Sequence, residues 1–146
     1  MRLISEGQIL ELKEGLSVQS EELVEKIEKV LTELSTLNDV IPIIVEGESD
    51  VRALRELGLK GIIMKINVGQ SLFNLCEEIA REYTEVIILT DWDRKGGHIS
   101  RVLQESLKAN DVKFNTDIRA RLAYLCRKET KDVEGLVGTI QRLKNI

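Results

Sequence analysis

Apolar positions change their spacing near residue 40, and that change divides the chain. In SEELVEKIEKVLTELSTL, residues 20–37, Leu23, Ile27, Val30, Leu31 and Leu34 recur every three or four positions. That spacing puts them on one side of a helix. Ser20 suits the helix start as an N-cap, and Glu21 and Glu22 favour the positive end of the helix dipole. The preceding QILELKEGL predicts a shorter helix that stops at Gly15. The apolar stripe must be covered, either by the rest of the chain or by a second copy of itself. The expected organisation is an N-terminal helical arm over residues 1–38 and a main domain over 39–146. A homodimer through the N-terminal helices is a further expectation.

From Ile41 the pattern becomes short apolar runs alternating with helical stretches. VIPIIV predicts a strand that opens with the only proline, which is tolerated at a strand start. SDVRALRELGL predicts a helix with Val51, Leu54 and Leu57 inward, ended by Gly58. GIIMKI and EVIILT predict the second and third strands, with helical SLFNLCEEIAREY between them. GHISRVLQESLKA predicts a helix, VKFNT a short fourth strand, and DIRARLAYLC and DVEGLVGTIQRLKN two closing helices. Strands alternating with helices of this length define an α/β fold, here a compact Rossmann-like parallel sheet of about four strands flanked by helices. In such sheets ligands bind beyond the carboxyl ends of the strands. Glu46 follows the first strand there, and Asp91 and Asp93 follow the third.

Composition narrows the class. Hydrophobic residues make up 42% and charged residues 32%, a globular balance in which no apolar run is long enough to span a bilayer. The opening MRLISEGQILELKEG carries glutamates where a signal peptide needs an uninterrupted apolar stretch, so a cytoplasmic protein is expected, with no membrane partner. Cys76 and Cys126 lack metal-ligand spacing and fit small buried hydrophobes in a reducing compartment. The net charge of −4 is uneven: residues 1–40 carry four bases against nine acids, while residues 112–146 carry eight against four. An acidic chain is not an obvious nucleic-acid binder, but Arg119, Arg121, Arg127, Lys128 and Lys131 in the basic tail leave room for phosphate contacts. A solvated helix face is the alternative reading of that tail.

The sharpest chemistry lies in VIILTDWDRKGG, residues 86–97. An isolated buried carboxylate is costly unless something positive meets it, and this strand aims two acids out of its end. In extended chain Asp91 and Asp93 point the same way, with Trp92 opposite and wedged against the sheet. Convergent oxygen ligands without Cys or His suit a hard cation, Mg2+ or Mn2+, and magnesium takes only one or two carboxylates besides waters and substrate phosphates. Glu46 is placed as a third ligand or as an acid or base on a phosphodiester oxygen. Gly47, Gly96 and Gly97 let backbone approach a phosphate near helix N-termini, and Arg94 and Lys95 are placed to meet one. Helix capping and turn formation are the structural alternatives for these acids and glycines. His98 falls in a first helical turn that usually faces solvent, and DVEG, residues 132–135, either adds an acid to the site or starts the last helix.

Other acid-based readings fail on position. A haloacid-type phosphatase carries its Asp-x-Asp after the first strand, a receiver domain needs paired acids there, and a nucleotide hydrolase needs a G-x-x-x-x-G-K-[ST] loop that this chain lacks. IIVEGESD followed by VIILTDWDRKGG resembles the Toprim domain, shared by topoisomerases, primases, recombination proteins and several nucleases. The likeness covers about residues 41–126 and is nearest to the ribosomal-RNA maturation nuclease and its small stand-alone relatives. The resemblance implies that Asp91 and Asp93 bind magnesium, that Glu46 is a general acid or base or a further ligand, and that Asp50 is a supporting acid. The chain has no room for a topoisomerase's tyrosine domain or a primase's polymerising segments, and the helical arm lies outside the family pattern. The expected function is a magnesium-dependent nuclease acting on RNA or DNA. The competing reading is a non-catalytic module that binds metal and nucleic acid within a protein complex.

Overall fold

The two-residue alternation of the strands decides which side chains meet on each face of the sheet. The computed structural model describes residues 3–67 and 69–145. The chain runs α1 (Glu6–Asn38), β1 (Ile43–Val45), α2 (Glu48–Glu56), β2 (Ile63–Lys65), α3 (Leu72–Glu82), β3 (Glu85–Ile88), α4 (Arg94–Ala109), β4 (Lys113–Asn115), α5 (Asp117–Leu125) and α6 (Leu136–Lys144). The four strands form one parallel sheet in the order β2-β1-β3-β4, with Ile43 opposite Ile87 and Ile44 opposite Ile88. Ile43, Val45, Ile87 and Leu89 face a core built with α1, α2, α5 and α6. Ile44, Val86 and Ile88 face the other way, against α3 and α4. This is the expected parallel α/β sheet covered on both faces. Cys76 lies in the second core and Cys126 in the first, both as free thiols.

The strand order fixes where a site can form. From β1 the chain steps outward to β2 through α2, then crosses back over the opposite face through α3 to reach β3. Right-handed crossovers in opposite directions must lie on opposite faces, which leaves a crevice where the order reverses, between the ends of β1 and β3. Glu46 and Asp91 flank that crevice.

Several local expectations are corrected. The N-terminal stripe belongs to one helix of 33 residues, not two, and Gly15 lies inside it. A helix-interior glycine costs only about 1 kcal/mol, which strong helix formers on both sides offset. Its N-cap is Ser5, whose hydroxyl accepts from the Gln8 N–H while the Gln8 side chain accepts from the Ser5 N–H. Ser20 is a buried mid-helix residue, not a cap. The stripe is covered by the chain's own body: Val24, Ile27, Val30, Leu31 and Leu34 belong to the same core as Val45 and Leu89. The arm is therefore separate only over its first half. At the other end, α6 starts at Leu136, so DVEG is a turn ahead of the helix and not its first turn. Gly58 ends α2 as expected, with a φ of +96° that favours glycine.

Candidate functional site

Parallel pairing positions Glu46. Ile87 N–H donates to the Pro42 carbonyl and Leu89 N–H to the Ile44 carbonyl, two rungs at the regular two-residue interval. The next rung would run from Asp91 N–H to the Glu46 backbone. Instead that N–H donates to the Glu46 carboxylate, Oε2, at 2.8 Å. The strand pair thus ends with a side chain standing in for backbone, and Glu46 is folded against Asp91. Both are half-buried.

Asp91 lies in a crowded acidic setting. Its Oδ1 accepts the Val133 N–H at 3.0 Å. Burial, with the charges of Asp50 and Glu46 adding to it, pushes its carboxyl up to about 7, and a hydrogen bond with the Glu46 carboxyl pushes in the same direction. Asp50, buried in the first turn of α2, accepts the Gly47 N–H at 3.1 Å. Burial raises its carboxyl as well, and Glu46, Glu134 and Asp132 contribute to that rise. Three of these acids come from strand ends and α2, and two from the DVEG turn. None of Glu46, Asp50, Asp91 or Asp93 is in a salt bridge among the described residues.

Asp91 and Asp93, the pair the sequence suggested as cation ligands, each accept a different backbone N–H. Asp93 is exposed and caps α4, accepting the Gly96 N–H at 2.7 Å. Its charge, like those of Glu46 and Asp91, reaches Arg119. Each of these four acids spends one oxygen on a backbone N–H. No group of three acid, His or Cys side chains among the described residues forms a ready-made cage for an ion.

The glycines divide similarly. A Cβ on Gly96 would fall well inside contact distance of the Asp91 carbonyl oxygen, so this glycine lets α4 start hard against the strand end. Thr90 holds the same junction, its fully buried hydroxyl donating to the Gly96 carbonyl at 2.8 Å. Gly47 leaves open space around the α-carbon, and a Cβ on Gly97 would make ordinary contact with two arginines. Arg94, Lys95 and His98 are exposed on the first turns of α4.

Two features escaped the sequence reading. Arg119, on α5, donates from Nε to the Thr90 carbonyl at 2.9 Å and from Nη2 to the Asp91 carbonyl at 2.7 Å. It thereby caps the end of β3 with a guanidinium among Glu46, Asp91 and Asp93. A point one bond out from the Gly97 α-carbon lies 3.8 Å from Arg119 Nη2 and 3.9 Å from Arg101 Nη1, so two guanidinium groups border one opening. Second, Trp92 latches the segment 130–133 to the site. Its indole N–H donates to the Thr130 carbonyl at 2.7 Å and its backbone N–H to the Lys131 carbonyl at 2.8 Å. The indole packs against the core, as expected, but its polar edge is what holds the DVEG turn beside Asp91.

Acids gathered at the switch point of a parallel sheet define a class, and the comparisons agree. The chain belongs to the Toprim domain family, which it matches over residues 41–125. A UPF0292 protein of Methanosarcina barkeri is 41% identical over 122 residues, covering 83% of this chain and 85% of that one. A UPF0292 protein of Methanocaldococcus jannaschii is 31% identical over 126 residues, covering 86% and 98%. The solved structure of a putative protein from Aquifex aeolicus has a TM-score of 0.62 over 73% of this chain and 94% of that one, at 22% identity, a likeness of fold alone. The resemblance carried by IIVEGESD and VIILTDWDRKGG is thereby borne out. Toprim domains typically bind a divalent metal ion and serve nucleic-acid-related functions. No helix among the described residues is long and apolar enough to cross a membrane.

Proposed function

We propose that this protein is a magnesium-dependent nuclease that hydrolyses RNA or DNA phosphodiesters, with manganese able to replace magnesium. One observation carries the reading: Glu46 is drawn onto the Asp91 backbone at the switch point, beside a carboxyl pushed up to about 7, and neither acid is in a salt bridge among the described residues although the Arg119 guanidinium lies near both. Carboxylates crowded this way are stabilised by a divalent ion. The residues fit magnesium held through one or two carboxylates, the rest of its shell being waters and substrate oxygens. Asp91 and Asp93 would hold it through the oxygens not spent on Val133 and Gly96, with Asp50 supporting Asp91 from α2. Such an ion offsets the negative charge that builds on a phosphodiester under attack and lowers the pKa of a bound water.

The chain's own residues do the rest. Glu46 carries the proton, taking it from the attacking water or giving it to the leaving oxygen, while its bond to the Asp91 N–H fixes its orientation. Arg119 and Arg101, at the opening above Gly97, are suited to grip a phosphate oxygen, and exposed Arg94 and Lys95 to follow the backbone of the nucleic acid.

A second reading has its own support. Each acid already satisfies a backbone N–H and no ready-made cage exists among the described residues, which suits a module that binds metal and nucleic acid without cleaving. Labelled single- and double-stranded RNA and DNA, incubated with magnesium or manganese, separate the two. Cleavage that falls by about 10²–10⁴-fold in Glu46→Gln supports the nuclease. Binding without cleavage on every substrate supports the module. Failure to bind either cation by calorimetry overturns both.

A further inference from the structure

Of the eleven large hydrophobic side chains exposed among the described residues, five lie in the first half of α1, Ile9, Leu10, Leu12, Leu16 and Val18, and two, Leu3 and Ile4, just ahead of it. Ile9 and Leu16 stand at a seven-residue interval that continues through Leu23, Val30 and Leu37, the positions at which the same helix packs on the body. The core-facing stripe therefore runs on past the edge of the core for about 20 Å of helix. An apolar surface of that extent marks a contact site.

The molecule also carries a surface that fits this arm. Beside the second half of α1 lies a cleft of about 410 Å³, with Val30, Tyr124 and Leu125 along its floor and Lys26, Lys29 and Arg121 at its rim. Lys26 and Lys29 are exposed and form no ion pair among the described residues, while Arg121 is held by Glu33 and Asp117. The arm is acidic, with Glu6, Glu11, Glu14, Glu21 and Glu22 against Lys13 over residues 3–22. Charge and spacing agree. Glu11 and Glu14 are three apart, as are Lys26 and Lys29, so one antiparallel register sets Glu11 level with Lys29 and Glu14 level with Lys26 along the helix pair.

We propose that two copies of this chain pair antiparallel through α1, the arm of each lying in the Lys26–Lys29 cleft of the other. The pairing is two-fold and closed, since the patch that gives the arm also receives one. It places the two bodies toward opposite ends of the helix pair and puts Ile9, Leu12 and Leu16 on the side of the partner's Val30 and Tyr124. It is independent of the nuclease reading.

Sedimentation equilibrium of the full-length protein tests this through charge exchange. The wild type should sediment as a dimer. Glu11→Lys with Glu14→Lys should weaken dimerisation at least tenfold, and Lys26→Glu with Lys29→Glu should do the same. The variant carrying all four changes should recover the wild-type constant, because the pairs are restored with signs exchanged. Circular dichroism shows that each variant keeps its helix content, and Leu12→Ser with Leu16→Ser serves as an apolar check that should yield monomer. A monomeric wild type overturns the proposal, as does a dimer unmoved by both reversals. So does failure of the fourfold variant to recover, whether the arm then binds nothing or serves a different protein.

Discussion

At Asp91 three demands meet on one carboxylate. It must accept the Val133 N–H, sit half-buried among Glu46 and Asp50, and keep an oxygen for a cation. The first favours its charge and the second opposes it, and the balance pushes its carboxyl up to about 7. Asparagine keeps the acceptor and removes the charge. Asp91→Asn should therefore raise the thermal midpoint of the metal-free protein at pH 8. Solvent screening at this half-open position limits the gain to about 1 kcal/mol, or roughly 2–4 °C in a chain of this size. The same variant should lose divalent-cation binding, and a fall in the midpoint would mean that the charge is not strained. The pH dependence follows from the same shift. Below the unfolded carboxyl value of 3.8, Asp91 is neutral whether folded or not, and its contribution to stability is fully present. As pH rises toward 7 the unfolded chain ionises first, so metal-free stability declines through that window. Magnesium binding should run the opposite way, weakening below about pH 7 because the proton competes, with proton uptake or release visible by calorimetry in two buffers. The sequence made Glu46, Asp91 and Asp93 legible because acids at the ends of apolar strands are chemically conspicuous. It named Arg119 only among the bases of the tail and could not place it at the site, since nothing in DIRARLAYLC distinguishes an arginine turned toward strand-end carbonyls from one in solvent.

The junction from β3 into α4 shows how an element carries the site. Asp93 caps the helix, Thr90 holds the Gly96 carbonyl, and Gly96 lets the first turn close on Asp91. Gly96→Ala puts a methyl group into the Asp91 carbonyl, and neither backbone can retreat without breaking a cap. The expected cost is about 2–3 kcal/mol by urea unfolding, together with lost cation binding. Gly97→Ala, whose methyl group would make ordinary contact with the ends of two arginines, should leave stability within about 0.5 kcal/mol. Equal effects at the two glycines would discard this account of the junction. Apolar periodicity showed the strands and helices, since alternation and the three-to-four spacing are imposed by burial itself. Ends were harder. The Asp132 side chain accepts the Gly135 N–H at 2.6 Å, which mimics an N-cap four residues before α6 begins at Leu136. Trp92 holds the Thr130 carbonyl and Asp91 the Val133 N–H, and contacts that distant along the chain leave no local signal.

On the scale of the whole molecule, the boundary of the family match and the boundary of the core do not coincide. The match begins at residue 41, yet Ile27 and Leu34 are fully buried among Leu122, Val133 and Leu136. The sequence set residues 1–38 apart because helical spacing gives way there to strand spacing, but a change of period marks an element boundary and not a limit of packing. The two halves of α1 should consequently behave differently when altered. Ile27→Ala opens a cavity between the helix and the sheet and should cost about 2–5 kcal/mol. A chain starting at residue 39 would uncover the α5–α6 face and should fail to fold alone. A chain starting at Ser17 keeps every buried contact of α1 and loses only the exposed arm. Its midpoint should equal that of the full-length protein extrapolated to low concentration. The full-length midpoint should rise with protein concentration, because a dimer stabilises its folded subunits by mass action, and the truncated chain's should stay flat. Calorimetric scans over a hundredfold range of concentration read both. A truncated chain that melts far below the dilute full-length protein would show that the arm serves the monomer's own core, and would place the apolar stripe on the body and not on a second copy.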